Sequence, residues 1–139
     1  NMVDMRQRLF RKFTSQPEEK IPEISMSPLD NELLSRMNQL ILDNIDNTGL
    51  NVSFLADNLG ISRSGLFAKV KSITNVTPNE MIQVIRLKKA AELLAQQRYR
   101  VNEVCYKVGF NSPSYFAKCF ARQFGMTPGA YVEEVRARR

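Results

Sequence analysis

The sequence contains two copies of one unit, and this repeat limits the possible fold more than any other feature. Residues 52–61 match residues 101–110 in their apolar positions and in one glycine. After one extra residue in the second copy, the match continues to the end of the chain. Thr77, for example, aligns with Thr127. The chain is therefore expected to contain two similar folded units.

Each copy has the pattern of a helix-turn-helix unit. A short helix leads to a turn that begins at Gly60 or Gly109, and a second helix begins at Ser62 or Ser112. Glycine suits the left-handed position that ends a helix, and serine caps the next helix. One such copy would be weak evidence, because any helical hairpin can use this pattern. Two copies in register make a pair of helix-turn-helix units the expected architecture.

The remaining helices follow from caps and apolar spacing. Ser27 and Pro28 are typical of a helix start, and apolar residues at three- and four-residue spacing predict a first helix over residues 30–47. Thr77-Pro78 begins the longest helix, predicted over residues 78–97. Two of its sides are apolar, which predicts a unit packed on each flank. Thr127-Pro128 opens a closing helix over residues 128–138.

These elements predict an all-α fold of about seven helices, in which a long central helix joins two helix-turn-helix units at residues 52–76 and 101–125. A helix of this length spans about 30 Å, close to the ~34 Å that separates major-groove sites one turn apart. Residues 1–28 hold basic side chains and then prolines, without sustained apolar spacing. We expect a linker from an upstream region there, and a domain over residues 29–139.

Composition excludes several functions. The chain has 139 residues and no histidine, which removes imidazole bases, Ser-His or Cys-His nucleophile pairs and histidine zinc sites. Two cysteines, Cys105 and Cys119, are too few for a cysteine-only zinc site; we expect buried reduced thiols in a cytoplasmic protein, with a disulfide as the alternative. We therefore expect no metal, no cofactor and no enzymatic activity.

The charge distribution favours a polyanionic partner. The net charge is +6, and residues 52–139 alone carry 14 basic and six acidic residues, a net +8. This excess indicates nucleic acid or an anionic membrane surface. Nothing in the chain approaches the roughly 18 consecutive apolar residues of a membrane span, and no signal-peptide block precedes the domain.

From about residue 30 to 138 the chain resembles the DNA-binding domain of the AraC/XylS transcription regulators. The second copy carries that family's signature in Val108-Gly109-Phe110, Ser114-Tyr115-Phe116 and Phe124-Gly125-Met126-Thr127-Pro128. The first copy, with the run from Arg86 to Leu94, resembles the effector domains of hybrid two-component regulators of Bacteroides-type bacteria. Asn75 departs from the family's usual glycine and is expected to take a left-handed conformation.

The resemblance implies double-stranded DNA as the ligand and transcription as the output. It also implies RNA polymerase as a partner, a longer parent chain with sensor, kinase and receiver domains, and a membrane anchor on that parent. The chain starts at Asn1, which fits a fragment of such a protein. We expect the isolated domain to be a monomer and dimerisation to involve upstream regions.

The helix faces opposite the predicted core supply the candidate DNA contacts. Lysine donates to guanine, serine bonds base edges, and small or aromatic side chains touch thymine methyl groups. The predicted base-reading residues are Ser64, Phe67, Ala68, Ser114, Tyr115 and Lys118. Basic side chains and helix N-termini position a protein on phosphate. The predicted phosphate contacts are Ser62, Arg63, Lys69, Lys71, Ser112 and Arg122.

Alternatives remain for these residues. Each charged side chain could be a solvated surface group, and Phe67 could belong to the core, where aromatic residues are more common. A further set of basic residues either contacts phosphate or merely solubilises the long helix, and the sequence does not decide between these roles: Arg86, Lys88, Lys89, Arg98 and Arg100. The leading function is a sequence-specific DNA-binding effector domain, expected to be an activator. The alternative is a protein-interaction module with degenerate DNA binding.

Overall fold

The computed structural model describes residues 2–22 and 27–138, which form eight helices and, within these ranges, no strand. The helices are α1 Met2–Ser15, α2 Pro28–Asp43, α3 Val52–Leu59, α4 Arg63–Thr74, α5 Pro78–Ala95, α6 Val101–Lys107, α7 Pro113–Phe124 and α8 Pro128–Ala137. The all-α class and the two helix-turn-helix units joined by a long helix, α5, are confirmed.

Side-chain caps decide where most helices begin. The hydroxyl oxygens of Ser27 and Thr127 accept the backbone N–H three residues later, at 3.1 Å in both cases. Thr77 does the same for Glu80, whose carboxylate accepts the Thr77 N–H at 3.2 Å and completes a capping box. Proline follows each of these three caps, where its missing N–H costs nothing.

Helix α5 is shared by two cores. Its residues up to Ile85 pack with α2, α3 and α4, and its residues from Leu87 onward pack with α6, α7 and α8. Nine of its residues are buried, distributed around more than one side of the helix. The predicted two-sided packing of the long helix therefore follows from its place between the units.

Helix α2 ends at Asp43, four residues before the predicted end. The Asn44 side chain donates to the Leu40 carbonyl at 2.9 Å, and the Asn47 side chain accepts the Gly49 N–H at 2.8 Å. Asparagine side chains that bond nearby backbone groups compete with helical hydrogen bonds. Residues 44–49 consequently form turns, which bring the chain to α3.

The expectation of a linker over residues 1–28 is wrong for residues 2–15, which form helix α1. Phe10 and Phe13 are buried against the core that contains Leu34 and Met37. Met2, Met5, Leu9 and Phe13 recur at three- and four-residue spacing, so the sequence did carry a helical signal, which the interpretation of this region as a basic linker overlooked. Burial of the Phe10 and Phe13 rings on the domain supplies the stabilisation that a short isolated helix lacks.

Candidate nucleic-acid interface

In the first unit, a residue in the left-handed conformation stands before the second helix, α4, and another follows it. Gly60 ends α3 with φ of 71°, and Asn75 ends α4 with φ of 64°, as predicted for both. Between them, the buried Leu66, Val70 and Ile73 anchor one side of α4 in the core. The opposite side of α4 is left facing solvent.

The second unit presents α7 in the same manner. Gly125 ends this helix with φ of 78°, and Phe116, Phe120 and Phe124 anchor it in the second core. The second unit's turn contains Gly109, with φ of 91°. Helices α4 and α7 are thus equivalent elements, which we call the recognition helices.

All six predicted base-reading residues lie on the solvent-facing sides of the recognition helices. They are Ser64, Phe67 and Ala68 on α4 and Ser114, Tyr115 and Lys118 on α7. Half of the Phe67 surface and about half of the Tyr115 surface are exposed, 50% and 52%. Phe67 is therefore not a core residue, and the core alternative for it is excluded.

Serine pairs stand at the start of both recognition helices. Ser62 Oγ accepts the Gly65 N–H at 3.0 Å and lies 3.3 Å from Ser64 Oγ. Ser112 and Ser114 lie 3.2 Å apart in the same arrangement. Either serine of a pair can donate to the other, and the remaining hydroxyl hydrogen of that pair is available to donate to an anion. Each recognition helix therefore begins with an available hydroxyl donor and a positive dipole end.

Of the four basic residues predicted to contact phosphate, the three on the first unit already have partners. Lys69 forms an ion pair with Asp30 of α2 at 3.2 Å. Arg63 donates to Ser53 Oγ at 3.3 Å, and Lys71 donates to the Asn75 carbonyl at 3.3 Å. All three are exposed, so these surface contacts are weak and can be exchanged for phosphate. Lys69 is the least available of the three for binding phosphate, because it would first have to leave the Asp30 carboxylate.

The cations of α7 are less engaged. Lys118 and Arg122 are exposed, and no hydrogen bond or ion pair joins the Lys118 ammonium to any residue in the described part of the chain. Tyr115 lies beside the buried Cys119, whose hydrogen bond raises the pKa of the phenol. The α7 face therefore offers a free ammonium and a neutral phenol side by side.

Arg86 joins the two units, which is neither of the roles that the sequence analysis considered for it. Its guanidinium donates to the carbonyls of Ile45 and Asn47, both at 3.2 Å, and burial lowers its pKa. Gly109 of the second unit packs on the same loop: a Cβ there would lie 2.3 Å from the Ile45 carbonyl oxygen. The loop before α3 and the turn after α6 are thus held together through Arg86.

The described residues contain no helix long and apolar enough to cross a bilayer and no group of three or more side chains suited to a metal ion. Cys105 and Cys119 are buried and are not joined by a disulfide. Burial raises the pKa of the Cys105 thiol. Such thiols are part of the packing of the second core.

Similarity to known proteins agrees with this geometry. A family model described as a helix-turn-helix domain matches residues 55–134, more than half of the chain. A protein named histidine kinase P4 from Formosa agariphila is 42% identical over 131 residues, which is 94% of this chain and 10% of the kinase. The chain therefore spans about a tenth of the length of this relative.

Two solved structures are similar in fold and in sequence. The C-terminal domain of AraT, a response regulator from Geobacillus stearothermophilus, has a TM-score of 0.67 and 25% identity, over 80% of this chain and 88% of that domain. The DNA-binding domain of the global transcriptional factor AdpA, solved with a target DNA, has a TM-score of 0.67 and 29% identity, over 79% and 95%. The chain belongs to the AraC-type family of helix-turn-helix DNA-binding domains of transcription regulators.

Proposed function

We propose that this domain binds double-stranded DNA of a specific sequence, with α4 and α7 in two successive major grooves. The observation that carries the proposal is the pair of equivalent exposed faces on two units that share α5. This helix has 18 residues and spans about 27 Å, comparable to the ~34 Å between major-groove sites one turn apart. AdpA, a similar domain, was solved with its target DNA, which supports the same ligand here.

The base-reading role falls mainly on α7 in this proposal. The Lys118 ammonium donates to guanine O6 and N7, and Ser114 or Tyr115 bonds a neighbouring base edge. On α4, Ser64 bonds a base edge, while Phe67 and Ala68 contact thymine methyl groups. These residues are exposed in the free domain and are therefore accessible to base edges.

Phosphate contacts hold the recognition helices in position. The proposed set is Ser62, Arg63, Lys69, Lys71, Ser112 and Arg122. Such contacts fix register without reading sequence, and they release counterions from DNA. For this reason we expect log K to fall linearly with log salt concentration, with a slope of about −0.9 per phosphate contact.

A random pool of DNA duplexes tests the proposal. Repeated selection with the domain should enrich one motif with two half-sites about one helical turn apart. Titration of the enriched duplex at several salt concentrations should then give the steep slope. A pool that stays random after selection, or a weak complex that is indifferent to salt, would overturn specific DNA binding.

We further propose that residues 29–139 form the effector domain of a longer cytoplasmic regulator. Receiver, kinase and sensor domains would precede it, the parent could be anchored in the inner membrane, and dimerisation would involve those upstream regions. The similarity to a histidine kinase ten times longer and to the C-terminal domain of a response regulator supports this placement. RNA polymerase is the proposed partner of an activator at its promoter.

A second candidate function is a protein-interaction module with degenerate DNA binding. The supporting observation is the α4 face, whose central positions hold serine, phenylalanine and alanine rather than charged base readers. An exposed aromatic residue such as Phe67 also suits a protein interface. The random-pool selection separates the two candidates, because this module would enrich no motif.

A further inference from the structure

Helix α1 contacts both units and lies against α5, the helix that joins them. It packs against both recognition helices, α4 of the first unit and α7 of the second. Phe10 and Phe13 on α1 are 1% and 4% exposed and belong to the first core. A helix that is anchored in one unit and touches the other limits how the two units move relative to each other.

Lys88 of α5 fastens the C-terminal end of α1. Its ammonium donates to the carbonyls of Phe13 and Gln16 at 2.7 and 2.8 Å and lies 4.2 Å from the centre of the Phe13 ring. Carbonyls at a helix end lack partners within the helix, and a cation there also matches the helix dipole. Burial lowers the pKa of Lys88 to about 8, while the charge of Glu19 raises it. The ammonium is therefore mostly charged at pH 7.

The segment after α1 is attached to the second unit. Glu18 forms an ion pair with Arg138, which follows α8, and Arg138 also bonds Glu134 of α8 at 2.7 Å. Burial raises the pKa of the Tyr131 phenol of α8, and the charge of the Glu18 carboxylate raises it further. This part of the chain thus contacts the first core through Phe10 and Phe13 and the end of α8 through Glu18.

Lys88 stands at the junction of the two cores. On α5, Ile85 is the last residue of the first core and Leu87 is the first of the second. A bend or rotation between the units would pass through this part of α5. The contacts of Lys88 with α1 oppose such a motion, because α1 touches helices on both sides of the junction.

We propose that α1 is a clasp that fixes the separation and angle of the recognition helices, with Lys88 as its positioning residue. The clasp thereby sets the number of base pairs that the domain accepts between its two half-sites. This inference rests on the proposed two-groove binding.

Half-site spacing is a direct readout of the clasp. One inserted base pair moves the second half-site by about 3.4 Å and rotates it by about 35° around the duplex. A rigid pair of recognition helices cannot follow that displacement, whereas a pair free to bend at the junction can. Loosening the clasp should therefore reduce discrimination between spacings, even if it also weakens binding to the preferred duplex.

The test uses the duplex that the wild-type domain selects from a random pool. Footprinting first locates the two half-sites, and one base pair is then inserted or deleted between them. The wild type should lose affinity on the order of tenfold or more for the altered spacings. Lys88→Met, which keeps the buried stem but removes the ammonium, should reduce that loss to about threefold or less. Lys89→Met is the matched control: it removes the same charge from the next residue, whose ion pair with Glu92 is on the surface. It should behave like the wild type.

The ratio of affinities separates positioning from stability, because partial unfolding lowers binding to every duplex by the same factor. Phe13→Leu serves as a second variant if Lys88→Met fails to fold, since it removes the ring beneath the ammonium but keeps apolar volume. It should relax the spacing preference in the same direction. If the wild type discriminates and the folded clasp variants discriminate equally, the clasp is overturned. If the wild type itself shows no spacing preference, the two-groove function fails instead.

Discussion

The two helix-turn-helix units carry a glycine at the same place in their turns, but the two glycines have different roles. Gly60 has φ of 71°, and a Cβ there would meet no atom within 4 Å. Gly109 has φ of 91°, and a Cβ there would lie 2.3 Å from the Ile45 carbonyl oxygen and 2.9 Å from Arg86. The first glycine serves backbone conformation alone, and the second also permits a close contact between units. The same residue type is therefore required for two different physical reasons in the two units.

The cores of the units also differ. Helix α7 contributes three phenylalanines whose successive ring centres lie 5.9 and 4.8 Å apart, and Tyr131 lies 5.9 Å from the middle ring. The equivalent α4 positions hold Leu66, Val70 and Thr74, and the Thr74 hydroxyl donates to the Val70 carbonyl at 2.8 Å. Aromatic rings bury more apolar area than these residues. The second core thus takes its buried rings from α7 and α8, whereas the first core takes the rings of Phe10 and Phe13 from α1.

The exposed faces of the two recognition helices also differ. The α7 face carries Tyr115, Lys118 and Arg122, whereas the centre of the α4 face carries Phe67 and Ala68. Charged and bidentate donors give most of the discrimination between bases, and apolar contacts with thymine give less. The second unit should therefore dominate sequence reading, with the first unit contributing position and modest preference.

The largest expected effect separates the two turn glycines. Gly109→Ala should destabilise the domain by about 3 kcal/mol or more, since left-handed strain adds to overpacking against the Ile45 carbonyl. Gly60→Ala should cost only the conformational strain, about 1–2 kcal/mol. Urea unfolding of both variants at one pH measures the two free energies of unfolding.

A control distinguishes the inter-unit contact from a local effect. Arg86→Met removes the donors to the Ile45 and Asn47 carbonyls without strain in the second turn. If the contact matters, combining this change with Gly109→Ala should cost less than the sum of the single changes. If Gly109→Ala and Gly60→Ala lowered the free energy of unfolding equally, the proposed difference between the two turns would be wrong.

The next effect concerns the exposed faces of the two recognition helices. Lys118→Ala should weaken binding to the selected duplex by about 1–3 kcal/mol and reduce discrimination at one base pair. Lys71→Ala, on the other unit, should weaken binding to all sequences alike and reduce the salt slope by about one contact. Titration against a set of single-base variants of the duplex measures both. Identical profiles for the two variants would show that the reading and positioning roles are assigned wrongly.

Much of the fold was predictable because local signals repeat. Serine and threonine caps, prolines at the first helical turn and left-handed Gly60 and Asn75 each specify a helix boundary within a few residues. The spacing of apolar residues on α4 and α7 separated the buried sides from the exposed sides. This separation placed every base-reading candidate on a solvent-facing surface. These features depend on neighbours in sequence, which a single chain displays.

Contacts between distant segments were not predictable. The apolar spacing of α1 indicates a helix, but it does not indicate the core against which Phe10 and Phe13 pack, which is built by residues more than 20 positions away. Lys88 and Arg86 are ordinary basic residues on a long helix, yet their donors reach carbonyls 75 and 41 positions away in the chain, Phe13 and Ile45. No local sequence pattern distinguishes a lysine such as Lys88, which bonds backbone carbonyls, from a surface lysine such as Lys89, which pairs with a carboxylate. Which of the proposed contacts touches DNA likewise depends on a ligand whose geometry the chain alone does not specify.

The smallest effect compares the residues that end the recognition helices. Asn75 and Gly125 occupy equivalent left-handed positions, and each donates its N–H to a carbonyl four residues earlier, at 2.9 and 2.8 Å. Asn75→Gly should stabilise the domain by about 0.5 kcal/mol, because relief of left-handed strain outweighs the greater freedom of glycine in the unfolded chain. Gly125→Asn should cost a similar amount. Urea unfolding of the two variants and of the double exchange measures this. The double exchange should return close to wild-type stability, since the positions belong to different units. A destabilised Asn75→Gly variant would mean that the Asn75 side chain, rather than its backbone conformation, ends α4.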